Sequence, residues 1–150
     1  MGTTRRFDGD LRLRRGRRTD LARLRRLVPA RSDGRTERFD RRTLAALSQD
    51  VYVAEAPDGA LVGVVAIGYV RSLQQGRYTA VLDTARVEPG TGRLLEALLD
   101  LAEERARRRG CRQVRAWPAP GDDELRAALA VRGWRGDHIL IGELAREADC

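Results

Sequence analysis

The sequence predicts an α/β (α+β) domain built on a mixed sheet, and three observations lead there. Ala80 to Trp117 reads as strand, glycine turn, helix, strand, and a crossover helix is the usual way to join parallel neighbours. Val51 to Ile67 reads as an antiparallel hairpin that turns at Pro57-Asp58-Gly59. Over the whole chain the patterns run strand, two helices, three strands, helix, strand, helix, strand, with no internal repeat.

Each element has a local reason. Met1 to Asp10 is read as a flexible leader to a single domain spanning residues 11–150. Leu11 to Arg15 alternates leucine and arginine, which predicts a short strand with one buried face. Thr19 or Asp20 caps a helix that carries Leu21, Leu24 and Leu27 on one side and Arg23, Arg25 and Arg26 on the other. Pro29 stops it, Ala30 to Arg38 is polar loop, and a second helix runs from about Asp40 to Ser48. After the hairpin, Arg71 to Arg77 reads as a wider connection before the Ala80 strand. From Arg93 the leucines recur at helical spacing, Leu94, Leu95, Leu98 and Leu101, until arginines and Gly110 close the helix. Gln113 to Trp117 is the next strand, and Asp122 or Asp123 caps a helix through Leu125, Leu129 and Val131 that ends at Gly133. His138 to Leu144 is a last strand.

Composition bounds the function. At 150 residues and 42% hydrophobic content the chain buries a core of its own. No apolar run approaches membrane-spanning length and the N-terminus lacks the apolar centre of a secretory signal, so the reading is a soluble, cytoplasmic protein without a membrane partner. Two cysteines, Cys111 and Cys150, are too few for a disulfide framework, and no His or Cys cluster has metal spacing. All 29 basic residues are arginine. Fifteen of them face six acids up to Arg42, a balance of +9, whereas 14 face 16 acids beyond it, a balance of −2. The basic segment has few aromatics to stack bases, which speaks against nucleic acid as a partner.

Several phrases in this order resemble the GNAT superfamily of N-acetyltransferases over essentially the whole chain. LRLRRGRRTDLARLRRL is similar to that family's opening strand and helix, VYVAEAPDGALVGVVAIG to its central hairpin, and AVLDTARVEP to its fourth strand with the Val-x-Pro ending. LLEALLDLAEERARRRGCRQVRAW resembles the helix and strand that follow, and ALAVRGW stands where the family commonly has a helix ending in Gly-Phe. The resemblance implies a mixed, mostly antiparallel central sheet of about six to seven strands flanked by about four helices.

It also implies acyl transfer from acetyl-CoA, bound as co-substrate, to a small-molecule or protein amine. Val87 would offer backbone to the pantetheine, and Gly90, Thr91, Gly92 and Arg93 would hold phosphate at the helix start. The phosphate loop is shortened and degenerate, because six residues, Gly90 to Leu95, separate Pro89 from Glu96 where the family usually has about a dozen. The family's frequent glutamate falls on Val81, and Asp83, two residues on and on the same strand face, is the replacement base. Its frequent tyrosine falls on Leu129, while Tyr69, Tyr78 and His138 are the other titratable groups near strand ends. Two functional readings follow. One is an acyl-CoA-dependent N-acyltransferase, with a homodimer as an arrangement common in the family. The other is a non-catalytic GNAT-fold module that has lost the cofactor and binds through the arginine face at Arg23, Arg25 and Arg26.

Overall fold

Six strands lie side by side in sequence order in a computed structural model of the chain: β1 (Arg5–Phe7), β2 (Leu11–Arg15), β3 (Gln49–Glu55), β4 (Leu61–Ser72), β5 (Arg77–Val87) and β6 (Val114–Ala116). The structure describes residues 4–7, 9–28, 42, 44, 48–118 and 121–136. Every neighbouring pair is antiparallel except β5 and β6, which are parallel and joined by the crossover helix α2 (Leu94–Arg108). A 3-10 turn over Arg18–Asp20 leads into α1 (Leu21–Leu27), and α3 (Asp123–Val131) follows β6. The mixed, mostly antiparallel sheet is therefore as expected, with three described helices against about four. The expected second helix falls largely outside the described residues, although Arg42 and Leu44 are helical. The Ala30–Arg38 loop, the His138–Leu144 strand and Cys150 also lie outside them. None of the described helices is long and apolar enough to cross a membrane.

Four local expectations change. Arg5–Phe7, within the stretch read as a leader, pairs antiparallel with β2. β4 runs on to Ser72 and turns tightly through Leu73 to Gly76, which has φ +64°, so Arg71 and Ser72 are strand and not loop. Arg14 is buried although the leucine-arginine alternation puts it outside, because two carboxylates wait for it there. Val131 is exposed at the end of α3, so the buried face of that helix is Leu125 and Leu129.

The sheet packs on both faces. On one, Leu94, Leu95, Leu98 and Leu99 of α2, with Leu125 and Leu129 of α3, meet Ala54, Val65, Ile67, Ala80, Leu82 and Ala85. On the other, Leu24 and Leu27 of α1 meet Val51, Val53, Leu61, Val64 and Ala66. Each fully buried leucine contributes about 1.5–3 kcal/mol, so α2 is held firmly against the sheet. A Cβ at Gly63 would come within 2.9 Å of Leu94 Cδ2 and 3.1 Å of Leu98 Cδ1, so the bare glycine is what lets the first turns of α2 sit down on β4.

Candidate functional site

β5 and β6 pair over Ala80–Leu82 and Val114–Ala116 and then part. β6 ends two residues before Pro118, which has no N–H to give a ladder, while β5 continues for five more residues to Val87. At the parting point β5 carries a bulge: Ala66 pairs with Thr84 but Ile67 pairs with Leu82, which leaves Asp83 as the extra residue. Beyond it the Glu88 N–H donates to the Val62 carbonyl at 2.8 Å, on the β4 side. Successive strand amides alternate sides in the sheet plane, so those of Val87 and Ala85 are directed to the side that β6 has left. There a cleft of about 370 Å³ opens, lined by Ala85 to Val87 of β5 with Glu88 just beyond it, Gly121 to Leu125 at the start of α3, Leu95 of α2, and Arg26 and Leu27 of α1. Its volume lies within the range of small-molecule sites.

The start of α2 borders this cleft through Leu95. Gly90 and Gly92 have φ of +79° and +61°, and a Cβ at either would meet nothing within 4 Å, so the bend is open rather than plugged. Thr91 Oγ1 donates to the Glu88 carbonyl at 2.7 Å, and the Leu94 N–H donates to the Thr91 carbonyl at 3.3 Å. The helix has no side-chain N-cap, and the amides of Leu95 and Glu96 are left without intrahelical acceptors. A glycine pair over free first-turn amides suits a phosphate. Arg93, read from the sequence as a phosphate partner, stands directly before the helix. It is highly exposed and its guanidinium is turned onto Glu96 at 3.0 Å.

Asp83 is exposed at the bulge. The other groups weighed for proton transfer are elsewhere. Leu129, at the position of the family's tyrosine, is buried in the core. The Tyr69 hydroxyl donates to Asp50 Oδ2 at 2.6 Å, and burial together with that carboxylate pushes it well above the usual phenol range. The Tyr78 hydroxyl accepts from Arg71 Nε at 3.2 Å, away from the cleft, and His138 lies outside the described residues. Nor is Arg23 part of a free cationic face, since it bridges Asp20 and Glu55 and donates to the Gly59 carbonyl at 2.6 Å. The sequence reading missed Arg86, the bulge and the parting of the strands. No glycine marks the bulge, and of the three only the parting has a local sign, Pro118.

Two buried ion networks hold the helices that flank the cleft. Asp20, fully buried, accepts both Arg14 guanidinium nitrogens at 2.8 Å and the Arg17 N–H at 2.7 Å, and Arg14 reaches on to Glu55 at 2.7 Å. Burial opposes the Asp20 charge, but the Arg14 and Arg17 hydrogen bonds hold its carboxyl below the usual carboxylate range. This network ties the entry of α1 to β2 and β3. At the other end of the sheet Asp50, also fully buried, accepts from Tyr69, from Arg15 at 3.0 Å and from Arg105 at 3.3 Å, with Arg109 at 3.8 Å. Burial again opposes ionisation, and the Tyr69 hydroxyl and Arg105 outweigh it, so the Asp50 carboxyl also lies below its usual range. That network ties the last turn of α2 to β3 and β4.

No protein-family model matches the sequence, and no curated protein matches it at a significant level. Solved structures match its fold. An aminoglycoside N-acetyltransferase in complex with CoA superposes with a TM-score of 0.73 at 16% identity, covering 93% of this chain and 97% of that one. A ribosomal-protein-alanine N-acetyltransferase from Brucella melitensis gives 0.68 at 16% identity, covering 93% and 100%. A protein from Bacillus halodurans described as a transcriptional regulator gives 0.74 at 18% identity, covering 90% and 99%.

Proposed function

We propose that this chain, which has the fold of the GNAT N-acetyltransferases, is an acyl-CoA-dependent N-acyltransferase working in the cytoplasm on a small-molecule or protein amine. The observation that carries the reading is the slot: β5 keeps five residues of strand after β6 has left it, and the freed edge faces a cleft bounded by the first turn of α2. An extended pantetheine amide chain suits such an edge, as an added strand would.

The residues fit the group in kind. Ala85 and Val87 offer main-chain amides along the slot, and Gly90, Thr91 and Gly92 offer an open bend under the free amides of α2. When bound, acetyl-CoA supplies an activated acyl thioester. The protein's own work is to align the amine with it and to take up a proton, and Asp83 at the bulge is the carboxylate for that, directly or through one water. Protonation of the departing thiolate is left to water, since Leu129 offers no hydroxyl.

The test is a titration of acetyl-CoA followed by thermal unfolding and then by thiol release with amines. A ligand that binds the folded state alone at 100 times its Kd adds about 2.7 kcal/mol, so the midpoint must climb with concentration. No shift at millimolar acetyl-CoA would sink the proposal. A second reading, a module that binds without turnover, is favoured by the pairing of Arg93 with Glu96 and the burial of Leu129. A thermal shift with no thiol release from any amine would select it.

A further inference from the structure

We propose that Arg86, with Arg26, forms an oxyanion subsite on the α1 side of the cleft, so that the acceptor is an amine that also carries a phosphate or carboxylate. The acceptor assignment rests on the acyltransferase reading; the subsite itself does not.

Arg86 is an outlier within its own protein. Among the described residues, the other buried or half-buried arginines all have partners: Arg14 and Arg23 on Asp20 and Glu55, Arg15 and Arg105 on Asp50, Arg132 on Asp100 and Glu103, with Arg25 and Arg109 also engaged. Arg86 is half-buried and has no partner among the described residues. A guanidinium carries five donors and no acceptor, and removing part of its hydration without replacement is costly. Elsewhere this chain meets that cost with a carboxylate. At Arg86 the missing acceptor faces a cleft.

The bulge decides which way the group points. Ala85 and Val87 pack on the α2 side of the sheet, so Arg86 between them is on the α1 side, where Arg26 lines the same cleft and has no ion pair among the described residues. Ala80, Leu82 and Ala85 all face α2, which puts two consecutive residues, Asp83 and Thr84, on the α1 side with Arg86. Three residues of strand span roughly 10 Å, so the carboxylate read as the base and the guanidinium stand one small molecule apart on one face. The first turn of α2 borders the same cleft from the opposite face of the sheet, across β5 from Arg86. Glu88, Asp122, Asp123 and Glu124 also line the cleft; Asp122 is occupied as the α3 cap, and none pairs with Arg86. Carboxylates beside two arginines fit a zwitterion better than either a polycation or a polyanion.

The experiment uses the full chain and two readouts. In the first, inorganic phosphate is titrated while the arginine Nε–Hε resonances are followed, the Arg86 signal being identified by its loss in Arg86→Gln. The expected result is a saturable shift at Arg86 in the parent chain, and a phosphate affinity, read in all three proteins at the Arg26 Nε–Hε signal, that falls about 10-fold or more in Arg86→Gln and only partly in Arg86→Lys, as the loss of a charge-assisted forked contact implies. No shift at Arg86 would mean that its aliphatic stem merely covers apolar surface with the head in water, and the subsite would be overturned. In the second readout, acetyl-CoA-dependent thiol release is compared for phosphoethanolamine and ethanolamine. Preference for the phosphorylated amine that Arg86→Gln abolishes supports the acceptor assignment, and equal rates overturn it. Phosphate binding at Arg86 that acetyl-CoA displaces also overturns it, because the site would then belong to the cofactor. Phosphate binding at Arg86 with no turnover of any amine keeps the subsite and removes the acyltransferase reading, so the two fail separately.

Discussion

Asp50→Asn tests the physical account most sharply, because the side chain keeps its shape and loses only its charge. The carboxylate is fully buried and accepts Tyr69 at 2.6 Å, Arg15 at 3.0 Å and Arg105 at 3.3 Å. A hydrogen bond to a charged group is worth about 1.5–3 kcal/mol and a neutral one about 0.5–1.5 kcal/mol, so each of the three loses roughly 1 kcal/mol. The expected destabilisation is therefore about 3 kcal/mol, at the lower end of the ~3–5 kcal/mol seen when a buried pair loses one partner. For a domain of this size that lowers Tm by roughly 6–12 °C. Urea unfolding followed by circular dichroism at pH 7 reads it. The pH dependence separates charge from shape. The Asp50 carboxyl is depressed in the folded state, so its stabilisation is present above the ordinary carboxylate value near 4 and is lost as pH falls through the folded value. The variant lacks that contribution, and the gap between the two proteins should close as pH drops from about 5 toward 2. A loss below about 1 kcal/mol at pH 7, or an equal loss at both ends of that range, would refute the reasoning.

Other perturbations follow the same logic. Arg14→Met leaves fully buried Asp20 without its forked partner and should cost about 3–5 kcal/mol in urea unfolding, more than Arg93→Met, whose pair with Glu96 is exposed and worth under ~1 kcal/mol. Gly63→Ala forces a methyl toward two buried leucines of α2 and should cost about 1–3 kcal/mol, and a variant as stable as the parent would show that α2 can lift off β4 freely. Asp83→Asn should lower acetyl-CoA-dependent turnover by about 10²-fold or more while leaving the thermal shift with acetyl-CoA intact. Gly90→Val with Gly92→Val should instead diminish that shift, since both positions need left-handed backbone and an open approach to the amides.

Much of the fold was legible because its signals are local. The Asp58-Gly59 turn, the leucine spacing of α2, Gly110 beyond its end and the Asp122 cap each act within a few residues, and each stands where the pattern puts it. Patterns failed where a distant partner overruled them. Arg14 reads as an outward residue of an alternating strand, yet Asp20 and Glu55 draw it inside. Arg71 and Ser72 read as loop, yet pairing with Tyr78 and Arg77 carries the strand through them. In the candidate site, Gly90 and Gly92 announce an open bend by their type alone, while Arg93 looks free in sequence and is held by Glu96.

By itself the order of residues determined the described elements from β2 to α3 and the parallel crossover, because hydrophobic period and turn chemistry need only near neighbours. Folding in three dimensions decided where β5 and β6 separate, that Asp83 is the residue squeezed out of register, and that Arg86 is left part-dehydrated with no counter-ion among the described residues. Those depend on which strands run out first and which charges meet across the sheet, and such distances are set by packing that no window of sequence contains.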